Sequence, residues 1–359
     1  MIMGEHKFPY DWTLKDAVFT KDRGSVFSCF ACGGGSTMGY KLSGFNVLGC
    51  NEIDPKMISA YRKNHKPQFS YLEAIQDFKQ RKDLPKELYN LDILDGSPPC
   101  SSFSISGNRE KDWGKQKKFR EGQALQVLDT LFFDFIDLAE ELKPKVVISE
   151  NVKGLLLGDA KDYVERIYKA FDKAGYTCQH ILLNARDMGV PQNRERVFFI
   201  CLRKDLANKL MNQHNLFEQK PIIDLSWNEP HITWGEIIDE DDNNMDLSPL
   251  DADLWDKKQP GDVDLSDASI RERNILSRFN AKFLYKHKCA NTITGGEQCV
   301  LWDKKRKRNH KELIQCSSFP SDYDFEDNKP SYMMGMSVPP IMVAQIADRV
   351  NKFWLKKLK

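Results

Sequence analysis

The chain has 359 residues, 41% of them hydrophobic and 29% charged, with a formal net charge of +1 at pH 7. That length allows one large domain and a smaller one, each with its own core, and the near-neutral balance excludes a global electrostatic pull on nucleic acid, so any basic surface must be local. There is no apolar run of about 18 residues, and the opening Met-Ile-Met-Gly-Glu-His-Lys lacks the basic-then-apolar order of a signal peptide, so no membrane partner and a cytoplasmic location are expected.

Short apolar runs alternate with amphipathic stretches from Ser25 to about Leu202. This is the pattern of strands joined by crossover helices in a doubly wound, mostly parallel α/β sheet. Strands are expected at residues 25–30, 46–51, 91–94, 145–149, 181–184 and 196–202. Leu125, Leu128, Phe132, Phe135, Ala139 and Leu142 recur at helical steps, as do Val164, Ile167, Tyr168 and Phe171, which predicts helix faces packed on the sheet.

The first strand leads into Phe30-Ala-Cys-Gly-Gly-Gly-Ser-Thr-Met-Gly39, a glycine loop opening a helix, where bare backbone can approach a ligand. The second strand ends in Asn51-Glu52-Ile53-Asp54, placing an acid where adjacent ribose hydroxyls can donate to one carboxylate. Loop and acid together indicate a nucleoside-bearing cofactor, which NAD-dependent oxidoreductases and S-adenosylmethionine-dependent methyltransferases share. The spacing is not G-x-G-x-x-G, and without that pyrophosphate fingerprint S-adenosylmethionine fits better.

Residues 95–104 read Asp-Gly-Ser-Pro-Pro-Cys-Ser-Ser-Phe-Ser, presenting Cys100 on a proline-bounded loop after an apolar strand. The crevice beyond the carboxyl ends of such strands is the working face of an α/β sheet, so Cys100 is a candidate nucleophile. The run 145–152 carries Glu150 and Asn151 to the same edge, where a buried acid suits proton donation. Gln192, Arg194 and Arg196 alternate and in an extended segment share one face, which implies an anion or a polar base edge opposite them. A thiolate, a buried acid and an arginine can together add to C6 of a pyrimidine, hold N3 and bind the ring carbonyl, leaving C5 to attack an electrophilic methyl.

Beyond Lys204 the chain is loop-rich, with an acidic cluster at 236–246 and a basic run at 304–308 that reads as a solvated face or a phosphate contact. Order returns past Lys329, where Pro339 and Pro340 start a helix whose stripe of Val343, Ile346, Ala347, Val350 and Trp354 is expected to pack back on the first domain. The expected division is a catalytic domain at 1–203, a small domain at 204–320 and a returning segment at 321–359. Nine scattered cysteines do not form a disulfide framework and are expected as thiols. Cys29 and Cys32 have C-x-x-C spacing but no matching zinc ligands, so no metal is expected and Cys29 reads as an interior strand residue.

These residues resemble the cytosine-C5 DNA methyltransferases across about 25–203 and again 291–350. Phe30 to Gly35 is similar to that family's first motif, Pro99-Cys100 with Phe103-Ser104 to its nucleophile motif, Glu150-Asn151-Val152 to its Glu-Asn-Val, and Gln192-x-Arg194-x-Arg196 to its Gln-x-Arg-x-Arg. Thr130 to Phe135 and Gly335-x-Ser337-Val338-Pro339-Pro340 follow in the family's order. The resemblance implies that Cys100 attacks C6, Glu150 engages N3 and the exocyclic amine, and Arg196 holds O2 with Arg194 in support. It implies S-adenosylmethionine at Phe30, Gly33, Gly34, Gly35, Glu52, Ile53, Ile75, Pro99, Leu131, Ser337 and Val338. Double-stranded DNA would meet Gln192, Thr294, Gly295 and the basic loop 108–120, with Arg109, Lys111, Lys115, Lys117, Lys118 and Arg120, while the stretch 204–291 would recognise the target. A monomeric bacterial or phage-encoded restriction-modification enzyme is the corresponding expectation.

Four positions depart from the pattern: Cys32 for glycine, Ala74 for an aspartate that binds the adenine amine, Ser101 for glutamine and Met336 for asparagine. Asp77 and Glu73 are the candidate replacements for the missing aspartate. An RNA cytosine methyltransferase of the same fold is one alternative, and a catalytically impaired DNA-binding homologue is another; the Cys100, Glu150 and Arg196 set argues against the latter.

Overall fold

The computed structural model describes residues 6–99, 116–117, 126–127, 130–157, 160–212, 221–242, 244 and 246–359. Cys100, Ser101, Arg109, Lys111, Lys115, Lys118 and Arg120 lie outside the described residues, and Lys117 enters only as strand backbone.

Strands buried on both faces can be apolar at every position, and the runs read from sequence become such strands. In chain order come β1 (Ser25–Cys29), α1 (Gly35–Leu42), β2 (Asn46–Glu52), α2 (Pro55–His65), β3 (Phe69–Leu72), α3 (Ile75–Phe78) and β4 (Ile93–Gly96). A two-residue ribbon of β5 (Gln116–Lys117) and β6 (Gln126–Val127) precedes α4 (Leu131–Leu142), β7 (Val146–Val152), α5 (Ala160–Lys173), β8 (Tyr176–Asn184), β9 (Gln192–Asn193) and β10 (Glu195–Arg203). The seven-stranded sheet has the order β3-β2-β1-β4-β7-β10-β8, with only β10 antiparallel to its neighbours. Strand order reverses between β1 and β4, so the ligand crevice of this architecture lies beyond their carboxyl ends.

All six expected strands are present, and β3 is an addition. Of the helix face expected from Leu125 to Leu142, Phe132, Phe135, Ala139 and Leu142 lie on α4, while Leu125 and Leu128 lie outside the described residues. Alternate strand residues separate two cores. Phe27, Leu94, Val147 and Phe199 face α3, α4 and α5, while Val26, Ile93, Ile148 and Phe198 face α1 and the C-terminal helix.

The second half contains α6 (Lys204–Asn212), α7 (Trp234–Ile237), α8 (Pro249–Asp256), α9 (Leu265–Arg273), β11 (Phe283–Leu284), β12 (Ala290–Asn291), β13 (Val300–Leu301), α10 (His310–Ser317), α11 (Pro330–Met336) and α12 (Pro340–Phe353). The α12 stripe of Val343, Ile346, Ala347, Val350 and Trp354 is buried, and Gly39 of α1 lets α12 approach: a Cβ there would sit 2.3 Å from the Pro340 carbonyl oxygen. Leu206, Leu210, Ile223 and Leu225 join the sheet's core. A small core of its own holds Leu254, Leu265, Ala268, Ala281, Phe283 and Val300, so packing changes character well after residue 204.

The basic run meets the acidic cluster in part, through Lys304 with Glu240 and Arg306 with Asp242, and takes its other carboxylates from elsewhere. Arg306 donates to both Glu312 oxygens at 2.8 Å and to the carbonyls of Asp239 and Asp242, and Arg308 forks onto Glu297 at 2.9 and 2.6 Å. Both arginines are buried, which removes them from any phosphate contact and from a solvated face. The thiol expectation also needs correction, because Cys178 and Cys201 face each other across β8 and β10 and are joined as a disulfide.

Candidate active site

The glycine loop is held in a backbone path that its residues do not prefer. Phe30 (φ 53°), Cys32 (φ 49°) and Gly34 (φ 82°) are all left-handed, a conformation costing a non-glycine residue about 1–2 kcal/mol. Cys32 thus occupies a position whose geometry favours glycine. Glu52, at the end of β2, fixes the turn: one carboxylate oxygen accepts from the Cys32 N–H at 2.7 Å, the other from Ile53 and Asp54 at 2.8 and 2.9 Å. Burial raises the Glu52 pKa and these N–H bonds oppose the rise. A carboxylate has about four acceptor positions, which leaves room for a hydroxyl.

The loop glycines also serve packing within the protein. A Cβ on Gly33 would meet the Met333 sulfur at 2.3 Å, one on Gly34 the His65 ring at 2.3 Å, and one on Gly35 the Val338 carbonyl oxygen at 2.2 Å. A backbone atom cannot swing aside as a side chain can. Gly35→Ala is therefore expected to destabilise the protein by about 1–3 kcal/mol and to weaken cofactor binding, read by denaturant unfolding and calorimetry. Ser337 and Val338 reach the loop from the opposite end of the chain, both buried.

Ile75 and Leu131 are buried beside the loop, with Phe30 tilted over Phe135 at 6.3 Å, an apolar wall suited to a purine. Ile53 is half-buried, as is Pro99, the last described residue before Cys100. Ala74 stands at the N-cap of α3 and supplies no side-chain hydrogen bond. Of its two candidate replacements, Glu73 is paired with Arg81 at 3.2 Å and Asp77 is exposed. Gln76, which sequence reasoning passed over, has a buried Oε1 without a hydrogen-bond partner among the described residues. Met336 is 45% exposed at the end of α11.

At the edge of β7 and β10, Arg196 Nε lies 2.9 Å from Glu150 Oε1, with both side chains mostly covered. Burial lowers the Arg196 pKa while the Glu150 carboxylate opposes that shift. Asn151 donates to the Pro98 carbonyl at 3.1 Å, tying β7 to the loop two residues before Cys100. The antiparallel pairing of β7 with β10 thus brings Glu150, Asn151 and Arg196 to one sheet end.

The other two members of that alternation turn inward. The Gln192 amide donates to the Cys316 carbonyl at 2.9 Å and accepts from the Ile293 N–H at 3.1 Å. With both ends used and 1% exposure it is a clasp between β9 and the α10 and β12 segments, which corrects its assignment as a DNA contact. Arg194 donates to the carbonyls of Ile293 (3.0 Å), Gly335 (2.8 Å) and Ser337 (2.9 Å). Burial and the neighbouring Arg196 push its pKa well down. It is a positioning residue for the last motif. Thr294 is exposed, and Gly335 packs within 2.7 Å of the Thr294–Gly295 backbone, as measured from an added Cβ.

Among the described residues no group of three or more His, Cys, Asp or Glu could hold a metal, and no helix is long and apolar enough to cross a membrane.

Comparison with known proteins agrees with this geometry. The chain is 34% identical to the Type II methyltransferase M.NgoPII of Neisseria gonorrhoeae, over 91% of this chain and 95% of that one, and 33% identical to M.Eco47II of Escherichia coli, over 96% and 84%. Identity to M.FnuDI of Fusobacterium nucleatum is 35%, over 50% of this chain and 47% of that protein. Among solved structures, a Spodoptera frugiperda DNMT2 variant aligns with a TM-score of 0.59 at 17% identity, covering 90% of this chain and 98% of that one. The Entamoeba histolytica methyltransferase EhMeth aligns with a TM-score of 0.57 at 15% identity, covering 93% and 98%. A model of the C-5 cytosine-specific DNA methylases matches residues 24–352, and the chain belongs to that family.

Proposed function

We propose that this protein transfers a methyl group from S-adenosylmethionine to C5 of a cytosine flipped out of a specific duplex DNA sequence, through a covalent bond between Cys100 and C6. The observation that carries this reading is the Glu150–Arg196 pair at 2.9 Å beside the Pro98 carbonyl that Asn151 holds.

The residues beyond β1 and β2 fit the cofactor. Glu52 retains acceptor capacity for a ribose, the unpartnered Gln76 Oε1 can receive an amine where Ala74 cannot, and Phe30, Ile75 and Leu131 offer an apolar wall. When bound, S-adenosylmethionine supplies a methyl group activated by a sulfonium. Cys100 adds to C6 as a thiolate, Glu150 holds a proton at N3 as electrons enter the ring, and Arg196 binds O2 while orienting the Glu150 carboxyl; once C5 carries the methyl group, loss of its proton to solvent restores the C5–C6 double bond and expels the Cys100 thiolate. Arg194 supports the site by fixing the Gly335 and Ser337 backbone.

Extruding the base costs about a few kcal/mol of stacking and pairing. The unit around the Leu254–Val300 core, the Thr294–Gly295 turn and the basic loop with Arg109, Lys111, Lys115, Lys117, Lys118 and Arg120 would offset it through phosphate and groove contacts. Incubation with tritiated S-adenosylmethionine and unmethylated duplex should label cytosine C5, with bisulfite sequencing giving the target. Label confined to RNA would overturn the DNA assignment.

A further inference from the structure

One buried acid at the ligand crevice has no place in this chemistry. Asp95 lies on β4, paired in register with Ser28 of β1 and Ile148 of β7, one residue before the strand's end and directly at the β1/β4 reversal. It is 4% exposed. The Ser28 hydroxyl donates to one carboxylate oxygen at 2.6 Å and the Tyr40 hydroxyl to the other at 3.0 Å. Among the described residues the titratable groups that interact with it are neutral or acidic, namely the Cys29 thiol on β1, Tyr40 on α1, Tyr61 on α2 and Glu150 on β7, and the Ser36 hydroxyl donates a further hydrogen bond. No ion pair to Asp95 exists among the described residues.

Burying a carboxylate against hydroxyls alone is costly, because hydroxyls do not neutralise it. Ser28 lies two residues before Phe30 and Ser36 follows directly on Gly35, so the Asp95 carboxylate is bonded to both flanks of the Phe30–Gly35 loop, in a low-dielectric setting where a charge carried over that loop is weakly screened. We propose that Asp95 is the buried counter-charge for the cofactor's sulfonium, a positioning residue that makes the site prefer the cationic methyl donor over its neutral thioether product. This rests on the cofactor reading above.

Burial, with Glu150 adding to it, raises the Asp95 pKa to about 7 against the hydroxyl bonds that lower it. A cation over the loop pulls that pKa down, so binding releases a proton and the affinity for the cation grows as pH rises through 7. The neutral thioether lacks the coupling. Donor and product carry the same other ionisable groups, but the sulfonium lowers the donor's α-amino pKa, so the amine titrations of the two free ligands are measured separately and their contribution is subtracted from the ratio of affinities.

The test is calorimetric titration of the full chain with S-adenosylmethionine and with S-adenosylhomocysteine between pH 6 and 8. Relative to the thioether, the sulfonium should gain about tenfold in affinity over that range, and Asp95→Asn should abolish the gain. A flat ratio in the native protein, with both ligands bound, overturns the proposal and leaves the methyltransferase reading standing; the native ratio decides even if the variant does not fold. A pH-dependent ratio that persists in a folded Asp95→Asn protein also overturns it. If neither ligand binds, the cofactor reading itself fails and takes the proposal with it.

Discussion

Glu150→Gln should slow methylation by roughly 10²–10⁴-fold, the usual contribution of a positioned acid, while the protein still folds and binds cofactor. Glutamine keeps the shape of the side chain and can still accept from Arg196 Nε, now 2.9 Å from the carboxylate. It cannot give a proton to N3. The loss should therefore fall on the chemical step, seen as a reduced single-turnover rate with duplex bound. Because Arg196 would keep a neutral acceptor in place of an anion, the melting temperature should also fall, by an amount matching about 1–3 kcal/mol. A variant within threefold of the native rate would remove Glu150 from its role.

Arg194→Met is expected to cost roughly 3–5 kcal/mol in urea unfolding. A buried ion pair can sometimes be exchanged for apolar residues without loss, since both partners can be replaced. That escape is closed for Arg194, whose three acceptors are the backbone carbonyls of Ile293, Gly335 and Ser337. The variant leaves them buried and unsatisfied. Ser337 and Val338 also back the glycine loop, so cofactor affinity should fall with stability, and Arg194→Lys should recover only part of both because one ammonium cannot span all three oxygens. A change under 1 kcal/mol would mean that the carbonyls find other donors.

The alternation of Gln192, Arg194 and Arg196 correctly indicated a shared extended segment, but not what lies across from each side chain. Ile293, Cys316 and Gly335 come from segments about a hundred or more residues away, and they claim Gln192 and Arg194 for the interior. The basic run shows the same limit. Arg306 and Arg308 find Glu312 and Glu297 and the 239–242 carbonyls, contacts fixed by tertiary packing.

Strands were legible where burial on both faces demanded continuous apolar runs, as in β7 and β10. The edge strand β3 was not, because Phe69–Leu72 is short and never fully buried. The Cys178–Cys201 link depends on the β8/β10 register, which no spacing displays. In the sequence Asp95 stands just after the apolar run 91–94, at the head of the proline loop; its place inside β4 and its lack of a cation among the described residues became evident only once Ser28, Tyr40 and Glu150 were placed around it.

Covalent capture on duplex containing 5-fluorocytosine at the methylated position tests the central claim most directly. Fluorine at C5 cannot leave as a proton does, so a Cys100–C6 bond formed before methyl transfer persists. The native protein with S-adenosylmethionine should form a denaturation-resistant complex with that duplex, and Cys100→Ser should form none. A complex of equal yield from Cys100→Ser, or none from a native protein that methylates ordinary duplex, would contradict the account.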